Sequence, residues 1–210
     1  MKAAKPFLIV FSVLALVYGA WLMTFWPGIM GEDSLAILLQ IEGRPMKLMK
    51  PLVWYLFVKF LYEPHRHMEV AIILQLLLGA LVFSRMLAWT WRAHLIKTFF
   101  FVLFFVALAL PVLYYQSALY PDGVFSLAVT GLVFESWLIV RAKRAGILSL
   151  AWLAVLVPFA LFFRPNGIFM LVILIPLVVA VPIGDKLKIS AIFVAWCGLA
   201  LVANARHPAW

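Results

Sequence analysis

Long apolar runs separated by short polar breaks set the pattern of this chain. The first run, Pro6 to Trp26, is about twenty residues long, enough to cross a bilayer core. Pro27 and Gly28 then end it, since neither residue sustains a helix. Further apolar segments follow over 69–88, 98–113, 123–140, 147–163, 168–183 and 189–203. Between the first two lies the longest polar stretch, 27–68, which predicts two short helices and not a span. One covers 35–42, in DSLAILLQIEG, and is closed by Gly43. The other covers 51–62, with Pro51 at its first position and Lys59 inside it. It suits the headgroup region, with Trp54 and Tyr55 near the interface. No run alternates apolar and polar, which sets aside a membrane β-barrel.

Backbone polar groups inside lipid must bond within their own segment, so repeated runs of this kind mean helices. The expectation is an all-α polytopic transmembrane bundle of about seven spans, with 1–210 as one domain and two juxtamembrane helices in its first loop.

Composition agrees. The chain is 67% hydrophobic and 12% charged, with a mean hydropathy of +1.12, which excludes a soluble globular domain. The formal charge of +9 reports which loops face the cytoplasm and does not point to nucleic acid. With the N-terminus inside, Lys2, Lys5, Arg85, Arg92, Lys97 and the Arg141–Arg144 cluster fall on the inner side. Only Arg164 and Arg206 lie in the short outer segments, and the basic residues of 27–68 weaken the bias without reversing it. The acidic residues Glu32, Asp33, Glu42, Glu63 and Asp122 then all face out. Lys2 and Lys5 before an apolar run resemble a signal peptide, but Tyr18 is a poor cleavage-site residue, so the first run reads as an uncleaved span. Cys197 is the sole cysteine, which leaves no disulfide within the chain.

Three outer-face stretches carry candidate chemistry: Glu32-Asp33 in GEDS, Asp122 in YPDGVFS, and Arg164 with Asn166 in FRPNG. The first loop adds Arg44, Lys47 and Lys50. Each has a structural explanation as well. Asp33 and Asp122 can cap the helices that follow them, and Arg164 can snorkel at a helix end. Together they supply a carboxylate for general-base work and cations for a phosphate, the equipment for transfer from a phosphate-linked donor. Glu135 lies inside a span, with Arg141 a turn and a half away as its expected partner. His65 and His67 are two apart and do not share a helix face.

In order and spacing these stretches resemble the integral-membrane GT-C glycosyltransferases, such as protein O-mannosyltransferases and aminoarabinose transferases. The acidic GEDS after the first span, KPLVWYL in the first loop, YPDGVFS before the fourth span and FRPNG after the fifth carry the likeness. Leu52 stands where the family has a second proline, and the chain matches the family's conserved seven-span half. The resemblance implies Asp33 and Asp122 as catalytic carboxylates, and Lys50, Arg164 and Arg44 as binders of the donor phosphate. Glu32 and Asn166 would orient these groups from beside them. A divalent cation shared by Asp33 and Asp122 stays open. The implied activity is transfer of a sugar from a polyprenyl-phosphate donor to an extracytoplasmic glycan, lipid or protein at a bacterial inner membrane. The alternative is a non-enzymatic membrane subunit or a lipid-linked-sugar transporter. The absence of repeats and of a polar path argues against a transporter.

Overall fold

The computed structural model describes residues 5–43 and 51–206. Those residues are almost wholly helical. The helices are α1 (Lys5–Thr24), α2 (Glu32–Ile41), α3 (Leu52–Tyr62), α4 (Glu69–Arg92), α5 (Ile96–Leu108), α6 (Leu110–Ser117), α7 (Pro121–Ala142), α8 (Ile147–Phe162), α9 (Leu174–Ala180) and α10 (Ile183–Arg206). A 3₁₀ stretch, Pro165–Ile173, stands between α8 and α9. No strand occurs among the described residues, only an isolated pairing of Ile29 with Ala118. The fold is an all-α helical bundle.

Four helices are long and apolar enough to cross a membrane: α1, α4, α7 and α10. They coincide with the first, second, fourth and seventh predicted spans. The predicted third span is a pair of helices, α5 and α6, bent by 52°. Pro111 lies in the first turn of α6, where its missing amide proton breaks the ladder. The predicted fifth span is the 16-residue α8. The predicted sixth is the 3₁₀ stretch running into the seven residues of α9. The first loop does hold two short helices, α2 and α3, close to the predicted 35–42 and 51–62.

The chain forms two compact units, Met1–Leu48 with Val58–Val124, and Met49–Phe57 with Phe125–Trp210. In the first unit α1 packs on α4, α5 and α6, and α4 packs on α5 and α6. The inward stripe of α1 is Val10, Leu14, Tyr18 and Leu22, one residue per helical turn. Tyr18, inside that stripe, donates its hydroxyl to the Val106 carbonyl at 3.0 Å. Elsewhere on α1, Leu8, Ile9, Leu16 and Met23 are exposed. A helix with one buried stripe and large apolar side chains around the rest suits lipid and not water.

In the second unit α8 packs on α10 and on the 3₁₀ stretch, which also packs on α9. Trp196 of α10 donates its indole N–H to the Ala154 carbonyl of α8 at 2.8 Å. At the other end of that pair, Asp185 accepts from the Ala145 amide at 2.9 Å and from Lys188 at 3.1 Å. Glu135 of α7 is 1% exposed.

Candidate active site

In the first unit two loops meet, the one between α1 and α2 and the one between α6 and α7. The Ile29 amide donates to the Ser117 carbonyl at 3.0 Å, and the Leu119 amide donates to the Ile29 carbonyl at 3.4 Å. Sequence explains how the first loop gets there. After α1 comes a cis Trp26–Pro27 bond, then Gly28 at φ +131°, a region that side chains disfavour. Gly31 follows beneath Tyr120, whose hydroxyl occupies the space that a Cβ at Gly31 would need. A larger residue at Gly28 would meet the Ile72 side chain of α4 and crowd the Ser117 carbonyl, and one at Gly31 would displace the Tyr120 ring.

Side chains tighten the same junction. Ser34 accepts from the Gly31 amide at 3.3 Å and donates to the Leu119 carbonyl at 3.0 Å. Trp21 donates its indole N–H to Ser117 Oγ at 2.9 Å. Gln75, 1% exposed on α4, directs Nε2 at the carbonyls of Tyr115, Gln116 and Ala118, at 2.8, 2.9 and 3.2 Å. These carbonyls end α6, where the helix itself offers no partner.

The outcome is that two acidic helix starts share one neighbourhood. Asp33 is the second residue of α2 and Asp122 the second of α7, and both are half-buried. Glu32 opens α2 and is exposed. Gly31 holds the cap position of α2, so Asp33 is not its cap, and Pro121 rather than Asp122 opens α7. Tyr120 stands between the motifs. Its phenol is raised above the usual tyrosine value, chiefly by desolvation, then by the charges of Tyr114, Asp33, Tyr115 and Glu32. Among the described residues no three His, Cys, Asp or Glu side chains gather as a metal site.

The second unit brings two other motifs together. A cavity of about 370 Å³ is lined by Pro51, Leu52 and Val53 of the KPLVWYL segment and by Arg164 and Pro165 of FRPNG, with Asn204 of α10. Arg164 is exposed and extended (φ −136°, ψ 150°) just before the 3₁₀ stretch, and Asn166 is exposed within it. The turn is anchored by Phe163, 1% exposed, whose ring lies 5.4 Å from Trp54, 5.2 Å from Phe57 and 4.9 Å from Phe159. Gly167 is required there because a Cβ would meet the carbonyls of Leu161 and Ala160, at 2.5 and 2.7 Å. Lys50 and Arg44 lie outside the described residues.

No known protein family, curated protein or solved structure matches this chain. His67 is occupied by Glu69, at 2.8 Å. Three residues near the candidate motifs had no weight in the sequence reading: Tyr120, Gln75 and Asn204. Gln75 did carry a signal, since it is an amide inside a predicted span, and polar side chains at such positions have a structural or functional task. Asn204 lies one residue past the predicted seventh span and carried none.

Proposed function

We propose that this chain is a membrane glycosyltransferase of the GT-C type. It moves a sugar from a polyprenyl-phosphate-linked donor to a hydroxyl of a glycan, lipid or protein. The reaction takes place on the extracytoplasmic face of a bacterial inner membrane, with the N-terminus in the cytoplasm. The observation that carries this reading is the pairing of Ile29 with Ala118, which joins the loops leading into the Asp33 and Asp122 helices. It brings two acidic motifs eighty-nine residues apart in sequence to adjoining helix starts, as a shared site would need.

In this reading Asp33 takes the proton from the acceptor hydroxyl as that oxygen bonds to the anomeric carbon. The bond from that carbon to the phosphate oxygen breaks, and its electron pair leaves with the polyprenyl phosphate. One displacement inverts the anomeric centre. Arg164, with Lys50 and Arg44, takes the negative charge that grows on the leaving phosphate. Asp122 faces the donor, and Glu32 and Asn166 orient their neighbours. A divalent cation, if used, would need donor phosphate oxygens to complete its shell beside Asp33 and Asp122.

The test is transfer of labelled sugar from a polyprenyl phosphate donor by wild type and by Asp33→Asn in proteoliposomes. Asparagine keeps the size and removes the charge, so transfer should vanish while folded protein remains. Wild-type transfer by the variant would remove Asp33 as the base. The second reading, a non-enzymatic subunit of a membrane assembly, is favoured by α10. Of its residues only Ile189 and Phe193 are buried, while Val194, Leu199 and Leu201 are exposed. A stable partner that co-purifies through α10, with no transfer by wild type, would favour it.

A further inference from the structure

Well away in sequence from the acidic helix starts, the first unit carries a groove where α1 begins and α4 ends. It encloses about 460 Å³, and its walls include Lys5, Ile9 and Val13 of α1, Trp91 of α4, and Phe100 and Leu103 of α5. We propose that this groove holds an acyl chain of an anionic phospholipid, with the lipid phosphate at Lys5. This inference is independent of the transfer reaction.

The shape of the chemistry comes first. Among the described residues Lys5 is the one charged member of the lining, and it stands at one end. From Lys5 to Val13 the groove follows α1 for about 12 Å, at the helical rise of about 1.5 Å per residue. A cation at the mouth and hydrocarbon along the length match an amphiphile with a negative head. A soluble metabolite would leave its polar groups unpaired against these walls.

The surroundings say which amphiphile is at hand. Ile9 is 63% exposed and Phe100 44%, and next to them Phe101 and Phe104 are also exposed. These side chains sit on α1, which is apolar enough to cross a membrane, and on α5, which is so together with α6. The groove therefore opens toward acyl chains. Its far wall is firm: Trp91 meets Phe99 edge-on at 5.1 Å, and Phe99 meets Phe100 edge-on at 5.2 Å. In sequence, Trp91 adjoins Arg92 and Phe99 lies two residues after Lys97, so this end of the chain's first unit is rich in cations. Basic residues at a bilayer surface each favour an anionic head, by about fivefold in affinity.

Trp91 makes the groove visible. Full-length protein would be placed in bilayers with acyl-brominated phosphatidylglycerol or acyl-brominated phosphatidylcholine at equal mole fraction. The difference between wild-type and Trp91→Phe fluorescence isolates the quenching of Trp91. We expect the anionic lipid to quench it at several-fold lower mole fraction. Lys5→Gln should remove about fivefold of that preference, and Lys5→Arg should keep it. Val13→Phe, which fills the groove, should weaken quenching by both lipids. Equal quenching by the two lipids would overturn the proposal, as would an unchanged preference in Lys5→Gln. No quenching of Trp91 by either lipid would mean that protein covers the groove, and would also overturn it. Circular dichroism of each variant confirms that the helices remain.

Discussion

The two units hold their motifs in different ways. Around the acidic helix starts the contacts are directional: Ser34 to Leu119, Trp21 to Ser117, and Gln75 to three carbonyls. Around Arg164 they are rings: Phe163 against Trp54, Phe57 and Phe159. A hydrogen bond fixes distance and angle and weakens steeply when either drifts. Ring packing resists loss of volume but allows small slides. In the proposed reaction, a base that must reach one hydroxyl would need the first kind of support, and a cavity taking a bulky phosphate donor would be served by the second.

Four outcomes break or sharpen that contrast. The largest effect is expected at the directional end. Asp33→Asn should lower transfer by about 10²–10⁴-fold, the usual worth of a positioned base. Its folded yield in detergent should match wild type. Next comes the ring cluster. Phe163→Ala should destabilise the protein by about 3–5 kcal/mol, the typical loss for a buried phenylalanine. Denaturant unfolding in micelles measures it, and Phe163→Leu should recover most of the loss. If Phe163→Ala unfolds like wild type, the rings are not what holds the second unit together.

Gln75→Leu is expected to cost about 1–3 kcal/mol, because the Tyr115 and Gln116 carbonyls lose the Gln75 donor, while Ala118 keeps the Tyr120 amide. The same unfolding assay reads it. A loss larger than that of Phe163→Ala would reverse the order of the two units.

The smallest effect belongs to Tyr62, whose hydroxyl donates to Glu42 at 2.6 Å and ties the end of α3 to the end of α2. Tyr62→Phe should cost about 1 kcal/mol. The bond to Glu42 is the main reason the Tyr62 phenol is raised above its usual 10.0, with burial and the Glu42 charge adding to it. A raised value means that the folded state favours the neutral phenol. Its contribution is thus complete below pH 10.0 and lost as the pH climbs through the folded value. The alkaline fall in stability should be shallower in Tyr62→Phe than in wild type.

The elements were legible where hydropathy alone decides them. Apolar runs located α1, α4, α7 and α10, and Pro51 and Gly43 located the short helices of the first loop. Legibility failed where a run stays apolar while the backbone changes course. The bend between α5 and α6 lies inside such a run, and only Pro111 marked it. The 3₁₀ stretch Pro165–Ile173 is equally apolar and reads as the start of a span. Asp33 and Asp122 in the first unit, and Arg164 in the second, could be named because charge is rare in this chain. The junction of the two loops could not, because it runs through amides and carbonyls that every residue possesses. Tyr120 was hidden for a related reason, since its position over Gly31 follows from that junction.

Because the pairing of Ile29 with Ala118 uses main-chain atoms, it reads chain length and not spelling. Ile29 can change to another residue of similar bulk and keep both of its bonds. One residue added between Ile29 and Asp33 would instead turn α2 by about 100° about its own axis, at 3.6 residues per turn. Asp33 would then leave the side of α2 that it now occupies, even with every present side chain intact. Among descendants of this chain, the interval from Ile29 to Asp33 should outlast the identities of the residues that fill it.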